Sequence, residues 1–204
     1  MAEPRASPEV LLRMSRAGDG AAAGVLLELY RGYLDLLARV QIGKQLQGKA
    51  DASDLVQEVF LAAHRDLGDF RGASEGELVT WLRQILASRL AGLVRRYRGT
   101  QRRDVRLERQ LADELDRSSQ ALVGRLACPG SSPSERAARR ERAVMLANAL
   151  QTLPADYREV IVLHHFEGVD FPGVAARMGR SQESVRKLWM RGLARLRRGL
   201  GNDV

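Results

Sequence analysis

Basic side chains are concentrated on one side of the segment from residue 182 to residue 198 of this chain. Laid out with the period of an α-helix, that side begins with an acid and continues with arginine and lysine. Guanidinium and ammonium groups donate to phosphate oxygens and to base edges, so this side is suited to contact with nucleic acid. The alternative is a solvated terminal helix, which is what most charge runs are. The charged side chains concerned are Glu183, Arg186, Lys187, Arg191, Arg197 and Arg198.

The residues just before this segment favour the nucleic-acid interpretation. Asp170 can cap a short helix whose first turn holds Pro172, and Gly179 stands where the chain must turn sharply. Ser181 is a suitable N-cap for the basic helix. A short helix, a tight turn and a basic second helix together predict a helix-turn-helix of the kind that reads DNA. The other side of the second helix must then face a core, and it carries Val185, Trp189, Leu193, Leu196 and Leu200.

The stretch DASDLVQEVFLAAHRDL predicts a helix with one apolar and one polar side. Leu61 falls on the polar side, among acids and amides. Such a residue belongs either to a docking patch for another protein or to an ordinary surface, and this helix alone leaves both open. The polar side consists of Asp54, Gln57, Glu58, Leu61, His64 and Arg65.

A second stripe lies on a helix predicted from about Glu77 to Arg98. An aromatic ring beside arginines suits unstacked bases, with the cations holding phosphates. Ser88 and Gly92 are small and would let a strand come close. The alternative is that Trp81 and Ile85 are core residues with arginines at the edge. The full stripe is Trp81, Gln84, Ile85, Ser88, Arg89, Gly92, Arg95 and Arg96.

Composition predicts an all-α fold and a polyanionic partner. The 204 residues include 33 cationic and 25 anionic side chains, for a net charge of +8. A hydrophobic fraction of 45% supports real cores, and richness in Ala, Leu and Arg favours helices. The single cysteine, Cys128, indicates a reducing cytosol. We expect no cofactor, no metal and no membrane insertion, since neither a metal-ligand pattern nor a long apolar run is present.

Two helical domains are predicted, residues 8–99 and 135–201, joined by a linker at 100–134 that we expect to be partly helical. The linker contains the breaker cluster CPGSSPSE. In the first domain we predict one long helix that includes residues 25–40, followed by a connection from Ile42 to Ala50. The apolar side of this helix is predicted to carry Val25, Leu26, Leu29, Tyr30, Tyr33, Leu34, Leu37 and Val40. Tyr97 is predicted to lie on the core face of the last helix of this domain.

Two parts of the chain together resemble a known family. The first half contains DLVQEVFLAAHRDLGDFRG followed by TWLRQILASRLAGLVRR, and the second contains LPADYREVIVLHHFEGVDFPGVAARMGRSQESVRKLWMRGLARLRR. In this order and at this separation, they are similar to alternative sigma factors of bacterial RNA polymerase, in the extracytoplasmic-function (ECF) group. The resemblance implies a first domain that grips the polymerase clamp and melts and reads the minus-ten promoter element. It implies a second domain that reads the minus-thirty-five element and touches the polymerase flap.

The resemblance also implies roles for individual residues by their position. The loop from Asp69 to Gly76 would hold a base flipped from the non-template strand. The residues that would face the clamp are Asp54, Gln57, Glu58, Leu61 and Arg65. Those that would line the path of the strand are Trp81, Gln84, Ser88, Arg89, Arg95 and Arg96. Those that would meet the upstream element are Ser181, Gln182, Glu183, Arg186, Lys187 and Arg191.

Three further expectations complete the sequence interpretation. An anti-sigma protein is a partner that the resemblance allows, in addition to polymerase core and promoter DNA. A stand-alone helix-turn-helix regulator is the alternative function, and it would bind duplex DNA without polymerase. An enzyme is not expected, because no Gly-rich phosphate loop, metal cluster or Ser-His-Asp grouping stands out. The expected role is therefore that of a cytoplasmic, nucleoid-associated specificity subunit.

Overall fold

The computed structural model describes residues 7–46, 49–99, 104–124 and 133–201, except the side chains of 122–124, 133–140 and 201. Every regular element in these ranges is helical, which confirms the predicted all-α fold. No helix in the described ranges is long and apolar enough to span a membrane. A 3₁₀ turn follows the fourth helix at Leu67–Asp69, and a π-helical turn follows the eighth at Val162–Phe166. The α-helices are α1 (Pro8–Arg16), α2 (Gly20–Glu28), α3 (Arg31–Leu46), α4 (Ala52–Asp66), α5 (Glu75–Arg98), α6 (Val105–Gly124), α7 (Pro133–Gln151), α8 (Ala155–Ile161), α9 (Phe171–Met178) and α10 (Gln182–Gly201).

The single long helix predicted over residues 25–40 is wrong, because two helices, α2 and α3, take its place. Val25 is 55% exposed instead of buried. Tyr30, at the break, is fully buried and donates its hydroxyl to Glu75 at 3.1 Å. Burial raises the pKa of this hydroxyl, which keeps it a proton donor. Neither glycine nor proline occupies the break, and the Tyr30 side chain there reaches Glu75 at the start of α5.

Helix α3 continues to Leu46, and so the connection predicted from Ile42 is also wrong. Gln41 is fully buried and donates to Ser118 Oγ at 3.1 Å. Gln45 donates to Glu114 at 3.1 Å. Both acceptors lie on α6, so the side-chain N–H groups of Gln41 and Gln45 bond to a partner helix, while Gln41 Oε1 is buried without a hydrogen-bond partner.

Helix α6 occupies much of the predicted linker and packs against α3, α5 and α7. Its Leu111 and Leu115 are fully buried. Arg83 on α5 is almost completely buried and pairs with Asp116 of α6 at 2.8 Å. Because a buried guanidinium without a partner is costly, this ion pair ties α6 to α5.

Helix α7 lies directly against α3, so the two halves of the chain touch. Gly32 on α3 is buried, and a Cβ there would come within 2.9 Å of Gln151 Cγ. Farther along α3, Arg39 pairs with Glu159 at 2.6 Å and with Glu167 at 3.3 Å. The described buried side chains of both halves form one hydrophobic core.

Replacing Gly32 with glutamine is expected to push α7 away from α3, because Gln151 and Asn148 occupy the space that a side chain needs. Small-angle X-ray scattering should then give a radius of gyration above the roughly 17 Å expected for a compact chain of this length. Gly24→Gln is the matched control, since a Cβ at Gly24 meets no atom within 4 Å. Both changes add the same helix-favouring side chain. Equal radii for the two variants would contradict the packing of α7 on α3.

Candidate nucleic-acid interface

Helices α9 and α10 form the predicted helix-turn-helix, and its caps lie where the sequence placed them. At the start of α9, Asp170 Oδ1 accepts a hydrogen bond from Gly173 N at 2.9 Å. Gly179 ends α9 with a φ of 61°, in the left-handed region that favours glycine. At the start of α10, Ser181 Oγ accepts from Ser184 N at 3.2 Å. Local hydrogen bonds therefore fix the turn between the two helices.

An aromatic cluster supports α10 from behind. His164 stacks on Phe171 with ring centroids 4.1 Å apart, and Trp189 meets both rings edge-on, at 5.8 and 5.7 Å. Val185 is fully buried on the same side of α10. No group of three His, Cys, Asp or Glu side chains in the described part of the chain is placed to hold a metal ion, and Cys128 lies outside that part. The cluster therefore forms the packed back of α10.

The outward side of α10 carries the residues predicted to meet DNA. Lys187 Nζ donates to Glu183 at 2.6 Å, and the Arg186 guanidinium lies over the Phe171 ring, 5.5 Å from its centroid. Both contacts orient cations along the helix surface without burying them. The six predicted side chains are all exposed: Ser181, Gln182, Glu183, Arg186, Lys187 and Arg191.

The loop between α4 and α5 is closed by a capping box. Ser74 caps α5, and the Glu77 carboxylate accepts from the backbone N–H groups of Ala73 at 2.9 Å and Ser74 at 3.0 Å. These hydrogen bonds lower the pKa of Glu77. Phe70 of the loop contacts Trp81 of α5, with ring centroids 4.9 Å apart. Trp81 is half-buried, so one side of its ring packs on the core while the rest of its surface stays accessible.

An open groove of about 640 Å³ runs along α5. The groove is lined by four of the six side chains that we predict along the DNA strand. The other two, Trp81 and Gln84, lie nearer the start of α5. A Cβ at Gly92 would meet only Arg95 Nη2, at 3.8 Å, so the surface there is open. The groove is lined by Glu58, Ser88, Arg89, Gly92, Arg95, Arg96 and Gly99.

Two arginines of this groove already have carboxylate partners. Arg95 lies 3.6 Å from Glu108 of α6, with 20% of its side chain exposed, and Arg96 lies 3.4 Å from Glu58 of α4. A phosphate that entered the groove would compete with these carboxylates for the guanidinium groups. Glu58, predicted only as a polymerase contact, is thus also part of the groove wall.

The outer face of α4 lies beside the groove. Leu61 is 65% exposed on it, while Leu55 and Val59 on the opposite face are buried. Arg65 pairs with its neighbour Asp66 at 2.7 Å. The other members of the predicted docking face are exposed or half-buried, namely Asp54, Gln57 and Glu58. A single exposed leucine is also common on ordinary protein surfaces, so its exposure agrees with both interpretations of this face.

Arg16 is part of the loop structure, and sequence reasoning missed it. Its guanidinium donates to the carbonyl oxygens of Phe70 and Gly72, which are 54 and 56 residues further along the chain. No local pattern in α1 reveals so distant a contact. Phe70 was included only as a member of the predicted loop, although an aromatic residue in a glycine-rich loop is itself a signal.

Comparison with known proteins gives concordant matches at both ends of the chain. The model of Sigma-70 region 2 matches residues 29–103, and that of Sigma-70, region 4 matches residues 143–196. The RNA polymerase sigma factor CarQ of Myxococcus xanthus is 30% identical, over 92% of this chain and 95% of its own length. The RNA polymerase sigma-H factor of Pseudomonas aeruginosa is 30% identical, over 82% of this chain and 80% of its own. The ECF RNA polymerase sigma factor SigE of Mycolicibacterium smegmatis is 29% identical, over 96% of this chain and 69% of its own.

Similarity to a solved structure is weaker. The structure of CnrH in complex with the cytosolic domain of CnrY matches 97% of this chain and 99% of that chain, with 24% identity and a TM-score of 0.34.

The fold and the sequence matches define a helical initiation factor with two sigma regions. The chain belongs to the RNA polymerase sigma factors, in the extracytoplasmic-function group. As an alternative sigma factor it directs transcription initiation, with RNA polymerase core and promoter DNA as partners. Members of this family are regulatory initiation factors and not catalysts.

Proposed function

We propose that the chain binds the polymerase clamp through the outer face of α4, and opens and reads the minus-ten element through the loop 69–76 and α5. Helix α10 reads the minus-thirty-five element. The domains that carry these tasks are residues 8–99 and 135–201, with 100–134 as the linker. The packing of α4 on α5 carries the proposal, because it puts the docking face beside the strand groove, and the contact between Glu58 and Arg96 lies where the two surfaces meet.

The strand groove supports the melting step. Arg89, Arg95 and Arg96 supply cations for the phosphates of the non-template strand. Trp81 lies on the same helix, and it offers an accessible aromatic surface backed by Phe70. Unstacking a base costs a few kcal/mol, which stacking on an aromatic ring and capture in the loop offset. Duplex opening then becomes less costly at promoters whose minus-ten base fits the loop.

The cationic side of α10 supports upstream recognition. Its start carries Gln182 and Glu183, which suit base edges, and its flank carries Arg186, Lys187 and Arg191, which suit bases or phosphates. Each good base contact contributes about 1–3 kcal/mol of discrimination, so a few of them set the register of the chain on DNA. The polymerase flap is the second proposed contact of residues 135–201.

Replacing Leu61 with aspartate should weaken binding to polymerase core about tenfold or more, because truncating or charging a central apolar interface residue has effects of this size. Affinity is measured with purified core and a labelled chain, and circular dichroism checks that the helices remain. Val25→Asp is the matched control, since Val25 is also an exposed apolar residue, on α2. If both variants bind core equally well with unchanged helicity, the outer face of α4 is not the docking surface.

The proposal as a whole is tested by binding with and without core. The chain should bind core tightly, bind duplex promoter DNA weakly on its own, and support transcription from an intact promoter only together with core. A stand-alone regulator would give the opposite pattern, with sequence-specific duplex binding by the isolated chain and no association with core.

A further inference from the structure

Arg16 ends α1 and reaches across to the loop between α4 and α5. Its Nη2 donates to the carbonyl oxygen of Phe70 at 2.7 Å and also to that of Gly72. The same guanidinium lies over the Phe70 ring, with its central carbon 5.5 Å from the ring centroid. A planar guanidinium is suited to both contacts, because it donates hydrogen bonds within its plane and stacks through its face.

Glu77 holds the same loop from the other side. Its carboxylate accepts from the N–H groups of Ala73 and Ser74 and from the Ser74 hydroxyl at 2.8 Å. The loop therefore has carbonyl oxygens fixed by Arg16 and N–H groups fixed by Glu77. A segment whose polar groups are paired in this way loses less conformational freedom when a ligand arrives.

Phe70 is the side chain whose orientation depends on this arrangement. It lies between the Arg16 guanidinium and the Trp81 ring. Gly72 lies so close to the edge of the Phe70 ring that a Cβ at this glycine would overlap ring atoms Cζ and Cε2. Because Arg16 holds the backbone on both sides of Arg71, it also fixes how Phe70 supports Trp81.

We propose that Arg16 is a positioning residue for promoter opening. It holds the segment Phe70–Gly72 in place beside Trp81, so that the loop that would capture the flipped base is ordered before DNA arrives. This inference rests on the proposed path of the non-template strand. Without Arg16 the two carbonyl oxygens turn to water and Phe70 leaves Trp81, while the docking face of α4 is unchanged.

Arg16→Ala tests this, with Arg13→Ala as the matched control. Arg13 is exposed, lies on the same helix and carries the same charge. Holoenzyme formed from core and each variant is titrated with a fluorescent single-stranded oligonucleotide that carries the minus-ten sequence of a promoter selected with the wild type. We expect Arg16→Ala to bind about five- to tenfold more weakly, a loss in the range of one net hydrogen bond, because the loop must then be ordered as DNA binds. Arg13→Ala should bind like the wild type, and Arg16→Lys should recover part of the affinity.

Trp81 emission gives a second readout that needs no DNA. The chain has two tryptophans, so a Trp189→Phe background leaves Trp81 as the only tryptophan, which is excited selectively at wavelengths that tyrosine does not absorb. Arg16→Ala should make Trp81 easier to quench with acrylamide, and Arg13→Ala should not. Unchanged quenching would overturn the proposal, because Arg16 would then not hold the loop against Trp81.

The oligonucleotide titration separates the remaining outcomes. Equal affinities for Arg16→Ala and Arg13→Ala overturn the proposal even if Trp81 quenching changes, since the contact would then be structural only. If the wild-type holoenzyme binds the minus-ten oligonucleotide no better than a scrambled one, the strand path itself is wrong. The inference then falls with it, and Trp81 quenching still shows whether Arg16 orders the loop.

Discussion

Trp81→Ala is expected to slow opening of an intact promoter by roughly 10- to 100-fold, because stacking of a base on an aromatic ring contributes about 1–3 kcal/mol. The Trp81 ring is half-buried beside Phe70 at the edge of the loop, where a flipped base would meet its accessible side. On a template that is already melted over the minus-ten element, the same variant should initiate at nearly the wild-type rate. Permanganate reactivity of unpaired thymines, followed over time, measures the opening step.

Ile85→Ala is the matched control for this experiment. Ile85 lies on the same stripe of α5, is also half-buried and packs against the same core, but it has no aromatic face. It should lose some thermal stability through reduced apolar burial while opening promoters at nearly the wild-type rate. Equal opening defects in Trp81→Ala and Ile85→Ala would mean that core packing, and not stacking, explains the loss.

Arg191→Ala is expected to reduce initiation at promoters that need the upstream element by about 5- to 100-fold, the effect of one good contact to a base or phosphate. Arg191 is exposed on the outward side of α10, whose back is fixed by buried Val185 and Leu196. If its partner is a phosphate, binding should also depend less on salt, with the slope of log affinity against log salt reduced by about 0.9. Affinity of the holoenzyme for promoter DNA at several salt concentrations gives both values.

Arg195→Ala removes the same charge from the flank of the same helix. Arg195 is exposed and follows Arg191 by four residues, so it lies one turn further from the start of the helix, where base edges are expected, and its loss should weaken upstream recognition less than the loss of Arg191. If Arg195→Ala and Arg191→Ala reduce initiation equally, only the net charge of α10 matters and the assignment of a reading face is wrong. Equal initiation by Arg191→Ala and the wild type would show that this residue does not contact the promoter.

The helix-turn-helix could be predicted almost completely from the sequence. Its signals are local: an aspartate cap, a glycine in the left-handed turn and a serine cap all act within three residues of the groups they bond. The helical period then assigned the two faces of α10, and the structure places the predicted residues on the exposed side. The same holds for α4, whose apolar side is buried and whose polar side is exposed.

The features that sequence missed depend on distant contacts. At the break in the predicted long helix, Tyr30 donates its hydroxyl to Glu75, and within α3 Gln41 donates to Ser118 of α6. Tyr97 was placed in the core, but it is 51% exposed and donates its hydroxyl to the Lys49 carbonyl oxygen. None of these partners lies within one or two helical turns of its residue. Helical periodicity in the sequence therefore could not predict these contacts.

In the groove, too, the positions of single residues could be predicted from the sequence, but their contacts with other helices could not. The sequence predicts Arg95 and Arg96 on one stripe with Trp81. In the structure both arginines line the groove, and Trp81 lies on the same helix nearer its start. The sequence could not show that Glu108 and Glu58 already pair with these arginines, since each carboxylate comes from another helix. Exposed cations can be found from helical period, while their ion-pair partners require the tertiary fold.

The most direct test of the central claim is reconstituted transcription with purified polymerase core, this chain and a promoter selected with them, mapping the RNA start at nucleotide resolution. We predict that adding the chain directs core to one start position, and that altering either the minus-ten or the minus-thirty-five element removes that start. Unchanged start sites with and without the chain would contradict the account.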